Sequence, residues 1–207
     1  METELYLIRH GLPRFPAPGR YCLGRTDWPL CGEGEAQARR AAAYFSGAAV
    51  DAVWHSGLSR SRRTAEIIAG GAFPLRQAPD LAEVDFGPWD GKSFAEIQAG
   101  WPELFAARET DRTRFPAGAE PLEAAADRGL AALRRIAAAA QTPRVVLVVH
   151  QTLMHAMTAR LRGRPIGDCM AEPIPYGSIT RLRWDGQRLT LDYVGRDPGD
   201  CPPPAQI

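Results

Sequence analysis

The chain has little net charge, few histidines, no paired cysteine motif and no long apolar run, and each shortage closes a class of function. Of 207 residues, 25 are Lys or Arg and 24 are Asp or Glu, a formal net charge of +1. That balance argues against a nucleic-acid or polyanion binder, though not against a local basic pocket. The longest apolar stretches, such as Val145–Val149, are far too short to span a bilayer, and the start of the chain has no basic segment ahead of a long apolar core. The expectation is therefore a cytoplasmic protein without membrane partners. The four cysteines, Cys22, Cys31, Cys169 and Cys201, form no C-x-x-C pair and are expected as reduced thiols. No zinc or di-metal ligand spacing occurs, so no metal and no cofactor is expected.

What is present is an ordinary globular composition, 45% hydrophobic and 24% charged, in which strand-like and helix-like runs alternate. Leu5–Ile8, Val50–Trp54 and Val145–Val149 read as strands. Glu33–Phe45, Ser59–Ala69, Phe94–Ala107, Pro121–Ala140 and Thr152–Leu161 read as helices. Five consecutive β-branched or Leu residues at Val145–Val149 mark a strand buried on both faces. Asp185-Gly186 between Ser178–Trp184 and Leu189–Val194 is a hairpin signal. This pattern predicts an α/β fold, a three-layer α/β/α sandwich with a mostly parallel central sheet. One domain is expected over 1–196, with a small helical insertion at about 92–120 leaning over the active site. A flexible Pro-rich tail is expected at 197–207.

Three of the four histidines follow a strand directly: His10, His55 and His150. In an open α/β sheet the carboxyl ends of strands line the ligand crevice, so neighbouring strands would bring these rings together. His155, five residues beyond His150, is about 500° further around a helix and is read as structural. Arg9 stands beside His10, and Arg60 lies one turn into the helix after His55. Two arginines and a helix N-terminus at one crevice suit an anion. Arg62 and Arg63 are read as a solvated helix face.

These residues resemble the histidine phosphatase superfamily, the phosphoglycerate mutase-like family. Leu7-Ile8-Arg9-His10-Gly11 is similar to its R-H-G signature. Gly24-Arg-Thr-Asp27-Trp-Pro29-Leu30 resembles its G-x-x-D-x-P-L segment, and Ser56-x-Leu58-x-Arg60-x-x-x-Thr64-Ala65 its second-arginine motif. Leu81-x-Glu83-x-x-Phe86-Gly87-x-Trp89-Asp90-Gly91 resembles its acid motif, and Val148-Val149-His150 its second-histidine strand. The resemblance implies that His10 is the nucleophile that becomes phosphohistidine. It implies that Arg9, Arg60 and a cationic His150 hold the phosphoryl oxygens, and that Glu83 is the general acid, with no metal or cofactor.

The chain departs from that pattern in places. Leu12-Pro13-Arg14 replaces a phosphate-touching Asn, so Arg14 is either a substitute or a surface residue. Cys31 stands where a Ser/Thr helix cap is usual. Gln151-Thr152 replaces Gly-Gly and makes Gln151 a candidate substrate contact, as Arg25 is. His55 is not a standard family position. It is either a support for the catalytic groups, a substrate contact or a plain strand-end histidine. Glu120, eight residues before Arg128, aligns with the family's G-E-S glutamate.

The resemblance implies a phosphomonoesterase acting on a small phosphorylated metabolite. The Glu83-to-His150 spacing of 67 positions and the short tail resemble the phosphatase branch. A phosphoglycerate mutase is the alternative, and a non-catalytic phospho-ligand module stands behind both, because the catalytic set is complete. The segment Pro13–Asp27 resembles α-ribazole phosphatases. Specificity is expected from Leu12–Leu23 and from Trp101, Arg108, Arg112 and Arg114.

Overall fold

The two most apolar runs, Leu5–Ile8 and Val145–Val149, have no surface to spare: every one of these side chains is at most 1% exposed. They lie side by side as parallel strands β1 (Thr3–Arg9) and β4 (Arg144–Val149), in register from Glu4 opposite Arg144 to Arg9 opposite Val149. Successive strand side chains point to opposite faces, so this pair feeds two cores. Leu5, Leu7, Val145, Leu147 and Val149 enter one, and Tyr6, Ile8, Val146 and Val148 the other. Sheets of this kind need helices on both faces, which is why the strands read as continuous apolar runs.

The computed structural model describes residues 2–204. Six strands lie in the order β3-β2-β4-β1-β5-β6. Strands β2 (Val53–His55) and β3 (Leu75–Gln77) are parallel to β4, and the hairpin of β5 (Ile179–Trp184) and β6 (Leu189–Arg196) is antiparallel to β1. Helices α1 (Gly32–Tyr44) and α2 (Ser59–Ala69) cover the Tyr6/Ile8 face. Helices α5 (Leu122–Ala139) and α6 (Gln151–Arg162) cover the other. The result is the expected α/β sandwich with a mixed, mostly parallel sheet.

The helix expected over Phe94–Ala107 is two helices, α3 (Phe94–Gly100) and α4 (Pro102–Ala107). Pro102 has no N–H to continue a ladder, so α3 ends before it and α4 begins on it. A capping box of Ser93 and Glu96 fixes the start of α3. Pro121 is the residue before α5 rather than its first. Strand β3, an exposed three-residue edge, and the short helix α7 (Ile166–Cys169) carry too little apolar periodicity to be read from sequence.

The tail expectation is corrected over residues 197–204. Pro198–Asp200 form a 3₁₀ turn capped by Asp197, Cys201 is buried beside Tyr193, and Tyr44 donates its hydroxyl to the carbonyl of Pro202 at 2.6 Å. Residues 205–207 lie outside the described ones. All four cysteines are free, and Cys31 does cap α1, its sulfur accepting from Gly34 N at 3.5 Å. No helix among the described residues is long and apolar enough to cross a membrane.

Candidate active site

Strand register alone brings His10 and His150 together. Arg9 pairs with Val149, so the next residue on each strand emerges at the same height, and the backbone N–H of His10 donates to Val149 O at 3.1 Å. Their ring centroids are 5.0 Å apart. Behind His10 the chain turns at Gly11, which packs against Gly34 so closely that a Cβ would stand 2.1 Å from Gly34 O. Only glycine permits that approach.

The His10 ring is buried and its Nδ1 lies 2.8 Å from Gly11 O. A carbonyl only accepts, so Nδ1 carries the proton and Nε2 keeps its lone pair. Burial, with Arg60 and Arg9 adding positive charge nearby, pushes the His10 pKa well below the ordinary imidazole range. The ring is therefore neutral and available as a nucleophile.

Three cationic or donor groups surround it. Arg9 stacks on the Tyr176 ring at 3.6 Å and donates one guanidinium N–H to Ile174 O at 2.6 Å. Arg60 is fully buried, with its two terminal nitrogens held by Gly24 O at 2.6 Å and Thr26 O at 2.9 Å. That loop is itself fixed by Asp90, whose carboxylate accepts from the N–H groups of Gly24, Arg25 and Thr26. His150 meets Ser56 Oγ through Nε2 at 2.8 Å. Arg9 Nε, Arg60 Nε and His150 Nδ1 are all buried and have no partner among the described residues. Buried unpaired polar atoms are costly, and these three lie on groups beside His10, although of the three residues only Arg9 lines the cavity. His150 differs from expectation in charge. Burial first, then Arg60 and His10, hold its pKa well below the usual value, which favours the neutral ring.

Glu83 comes from the acid motif and is 4% exposed. Its Oε1 accepts from Val84 N and Leu153 N, both at 2.9 Å, and its Oε2 from Thr152 N at 3.0 Å. It thus caps the start of α6, which has no side-chain cap of its own. Burial raises its pKa, against the lowering by these three N–H groups and Arg60. Two N–H groups fill both lone pairs of Oε1, and one fills half of Oε2. The remaining lone pair of Oε2 is the place for a proton.

A cavity of about 580 Å³ opens from Arg9, His10 and Glu83. Gln151 lines it, as do Arg108 and Arg112. Arg14, Arg25 and His55, sequence candidates for substrate contact, do not. Arg14 is exposed, Arg25 turns to Glu120 at 3.8 Å, and the His55 Nδ1 accepts from Gly57 N behind the strand end. Trp101 packs edge-on to Trp89, and Arg114 pairs with Asp111 at 3.3 Å. Glu120, aligned by its spacing with the family's G-E-S glutamate, is bound by Arg128 at 2.6 Å and lies off the cavity wall. His155, read as structural, does hydrogen-bond Glu172 O at 3.0 Å but also lines the cavity. Tyr176, against both Arg9 and His10, is the contact that sequence reading missed. No group of three or more His, Cys, Asp or Glu able to hold a metal occurs among the described residues.

The histidine phosphatase superfamily (branch 1) model matches residues 5–197. The chain belongs to this superfamily. It is 30% identical to the uncharacterized phosphatase PhoE of Bacillus subtilis over 78% of each chain. It is 29% identical to the probable phosphoglycerate mutase GpmB of Salmonella choleraesuis, over 95% of this chain and 93% of that one. It is 28% identical to the adenosylcobalamin/alpha-ribazole phosphatase of Escherichia coli, over 78% of this chain and 80% of that one. The structure of Bacillus stearothermophilus YhfR superposes with a TM-score of 0.83 at 28% identity, covering 91% of this chain and 95% of that one. Phosphatases and mutases of this superfamily are thus its relatives, and its membership points to an enzyme of that kind.

Proposed function

We propose that the protein is a metal-independent phosphomonoesterase that works through a phosphohistidine at His10. The observation that carries this reading is the cluster of orphan buried donors on Arg9, Arg60 and His150 around a neutral, tautomerically fixed His10. Nε2 of His10 attacks phosphorus and the ester P–O bond breaks. The proton on Glu83 Oε2 passes to the departing oxygen as the N–P bond forms. The arginines and the His150 N–H carry the charge on the phosphoryl oxygens. Ser56 can donate its hydroxyl proton to His150 Nε2, which leaves the imidazole proton on Nδ1. In the second step the Glu83 carboxylate takes a proton from water, the water oxygen attacks phosphorus, and the N–P bond breaks. Ester and water have then become alcohol and inorganic phosphate.

The mutase alternative is carried by the near full-length Salmonella relative. Both readings pass through phosphohistidine, so the decisive experiment has two parts. An acid-labile, base-stable phosphoenzyme should form in the wild type and not in His10→Ala. Turnover should then release inorganic phosphate, whereas phosphoglycerate isomerisation without phosphate release would make the protein a mutase. Near-normal turnover by His10→Ala would refute both. The substrate is a small phosphate ester; α-ribazole phosphate and 3-phosphoglycerate belong in the panel.

A further inference from the structure

The chemistry uses only the inner end of the cavity. Its outer walls come mainly from 12–23 and from 92–120, which carries the short helices α3 and α4, and they have a marked composition. Phe15 and Tyr21 stack face to face at 5.3 Å with their planes 8° apart. Phe94 and Phe105 meet edge-on at 6.0 Å, and Phe115 stacks on Phe86 at 5.0 Å. All of them line the cavity. Gln151 is the one side-chain amide on its wall. The phenylalanines Phe15, Phe86, Phe94, Phe105 and Phe115 offer a ligand no hydrogen bond, so this part of the wall suits an apolar ring better than a polyol.

Set among these rings are three guanidiniums. Arg20 lies over Phe94 at 4.6 Å, and Arg108 over Phe115 at 4.2 Å. Arg108 is half-buried and anchored by its N–H to Arg114 O at 2.6 Å, and Arg112 is held by Met170 O at 3.3 Å. None of the three has a carboxylate oxygen within 4.0 Å among the described residues, although the exposed Glu109 shares the wall. Like charges gathered without a counter-ion, on fixed aromatic supports, make a seat for an anion.

We infer that the substrate is an aromatic phosphate ester carrying a second anionic group, its ring held by the Phe15, Phe94, Phe105 and Phe115 walls and its second anion by Arg108 and Arg112. This rests on the phosphatase reading and adds the class of leaving group. The cavity volume, about 580 Å³, suits a ring-bearing body and is generous for a three-carbon acid.

Two esters of one shape test it: 4-carboxyphenyl phosphate and its neutral match, 4-carbamoylphenyl phosphate. Binding is measured by calorimetry on full-length His10→Ala protein, which cannot turn them over. The carboxylate should bind about tenfold tighter, as a charge-assisted contact is worth about that factor, and the preference should shrink with added salt. Arg108→Gln and, independently, the exposed Arg112→Gln should each reduce the ratio toward one. 3-Phosphoglycerate, which has the second anion without the ring, should bind at least about tenfold weaker than the carboxyphenyl ester. Equal binding of the two aryl esters, a ratio that neither arginine substitution moves, or 3-phosphoglycerate binding as tightly would overturn the inference. Phosphate release from the same esters by the wild type tests the phosphatase reading separately. Selective binding without hydrolysis would sink that reading and leave the subsite standing, and hydrolysis without selectivity would do the reverse.

Discussion

Glu83 is held so specifically that replacing it by glutamine should do two separable things. Three backbone N–H groups point at its carboxylate, two at Oε1 and one at Oε2. An amide has one accepting oxygen. With that oxygen at the Oε1 site, the NH₂ faces the Thr152 N–H, donor against donor; the flipped amide sets its NH₂ against two donors instead. Either way a buried donor loses its partner at the start of α6, a cost of about 1–3 kcal/mol. Glu83→Gln should therefore melt measurably lower than the wild type.

The catalytic effect has a different signature. An acid on the leaving oxygen matters for a high-pKa alkoxide and hardly for a stable phenolate. Benzyl phosphate and 4-nitrophenyl phosphate place a ring of similar size in the cavity and differ in that respect. The proton from Glu83 is worth about 10²–10⁴-fold on the poor leaving group. Glu83→Gln should therefore slow phosphorylation of His10 by benzyl phosphate by a factor of that order, and by nitrophenyl phosphate much less. Rapid-quench single turnover isolates this step from hydrolysis of phosphohistidine, in which Glu83 is proposed to act as base. Arg60→Ala, which removes a group proposed to hold the transferred phosphoryl, should cost both substrates alike. Equal penalties for Glu83→Gln on the two esters would remove it from the acid role and leave it as a helix cap.

Further outcomes follow from the same geometry. Burial holds His10, His150, His155 and His55 below the ordinary imidazole pKa. The folded state then binds fewer protons than the unfolded one, so stability is full above about pH 6.5 and is lost as pH falls below it, at up to about 1.4 kcal/mol per pH unit for each such ring. Denaturant titrations from pH 8 to 5 should show that slope, and a flat profile would contradict the neutral assignment. Dialysis against a strong chelator should leave phosphatase activity unchanged, and a loss restored by a divalent ion would refute metal independence. Gly11→Ala should cost about 3 kcal/mol or more in chemical denaturation, because the added Cβ would stand 2.1 Å from the backbone of Gly34.

What could be read from the sequence is what strand ends dictate. His10 and His150 meet because β1 and β4 are adjacent and in register, and two apolar runs ending in histidine announce that arrangement. The same logic placed His55 one strand further out, where β2 does lie, but its ring serves the local turn at Gly57. Position in the sheet was legible there and side-chain direction was not. The ion pair of Glu120 with Arg128 was not read from the sequence, where their spacing served only to align Glu120 with the family pattern. Tyr176 was not either, because it precedes β5, which runs antiparallel to β1. The residues before an antiparallel strand arrive at the same edge as those after a parallel one, as the Gly177 N–H on Arg9 O at 2.9 Å shows.

The aromatic walls were hidden for a different reason. Phe15 and Phe115 sit in stretches without periodicity, and Phe94 and Phe105 on two short helices, and in both settings a phenylalanine reads as core until its neighbours are known. Their arginines were noticed, and the rings that orient them were not. Strand register fixes the catalytic groups to within a residue, so substitution there is confined to a few compatible types. The loops answer to no such register and need only keep their ends in place. Gly24 and Asp90 keep those ends: Gly24 O and Thr26 O hold Arg60, and Asp90 holds the loop that supplies them. One short segment therefore joins the anion seat to the loop that begins the substrate wall. A substitution at Asp90 should accordingly disturb phosphate binding and leaving-group selection together, whereas one at Arg112 should reach the second alone.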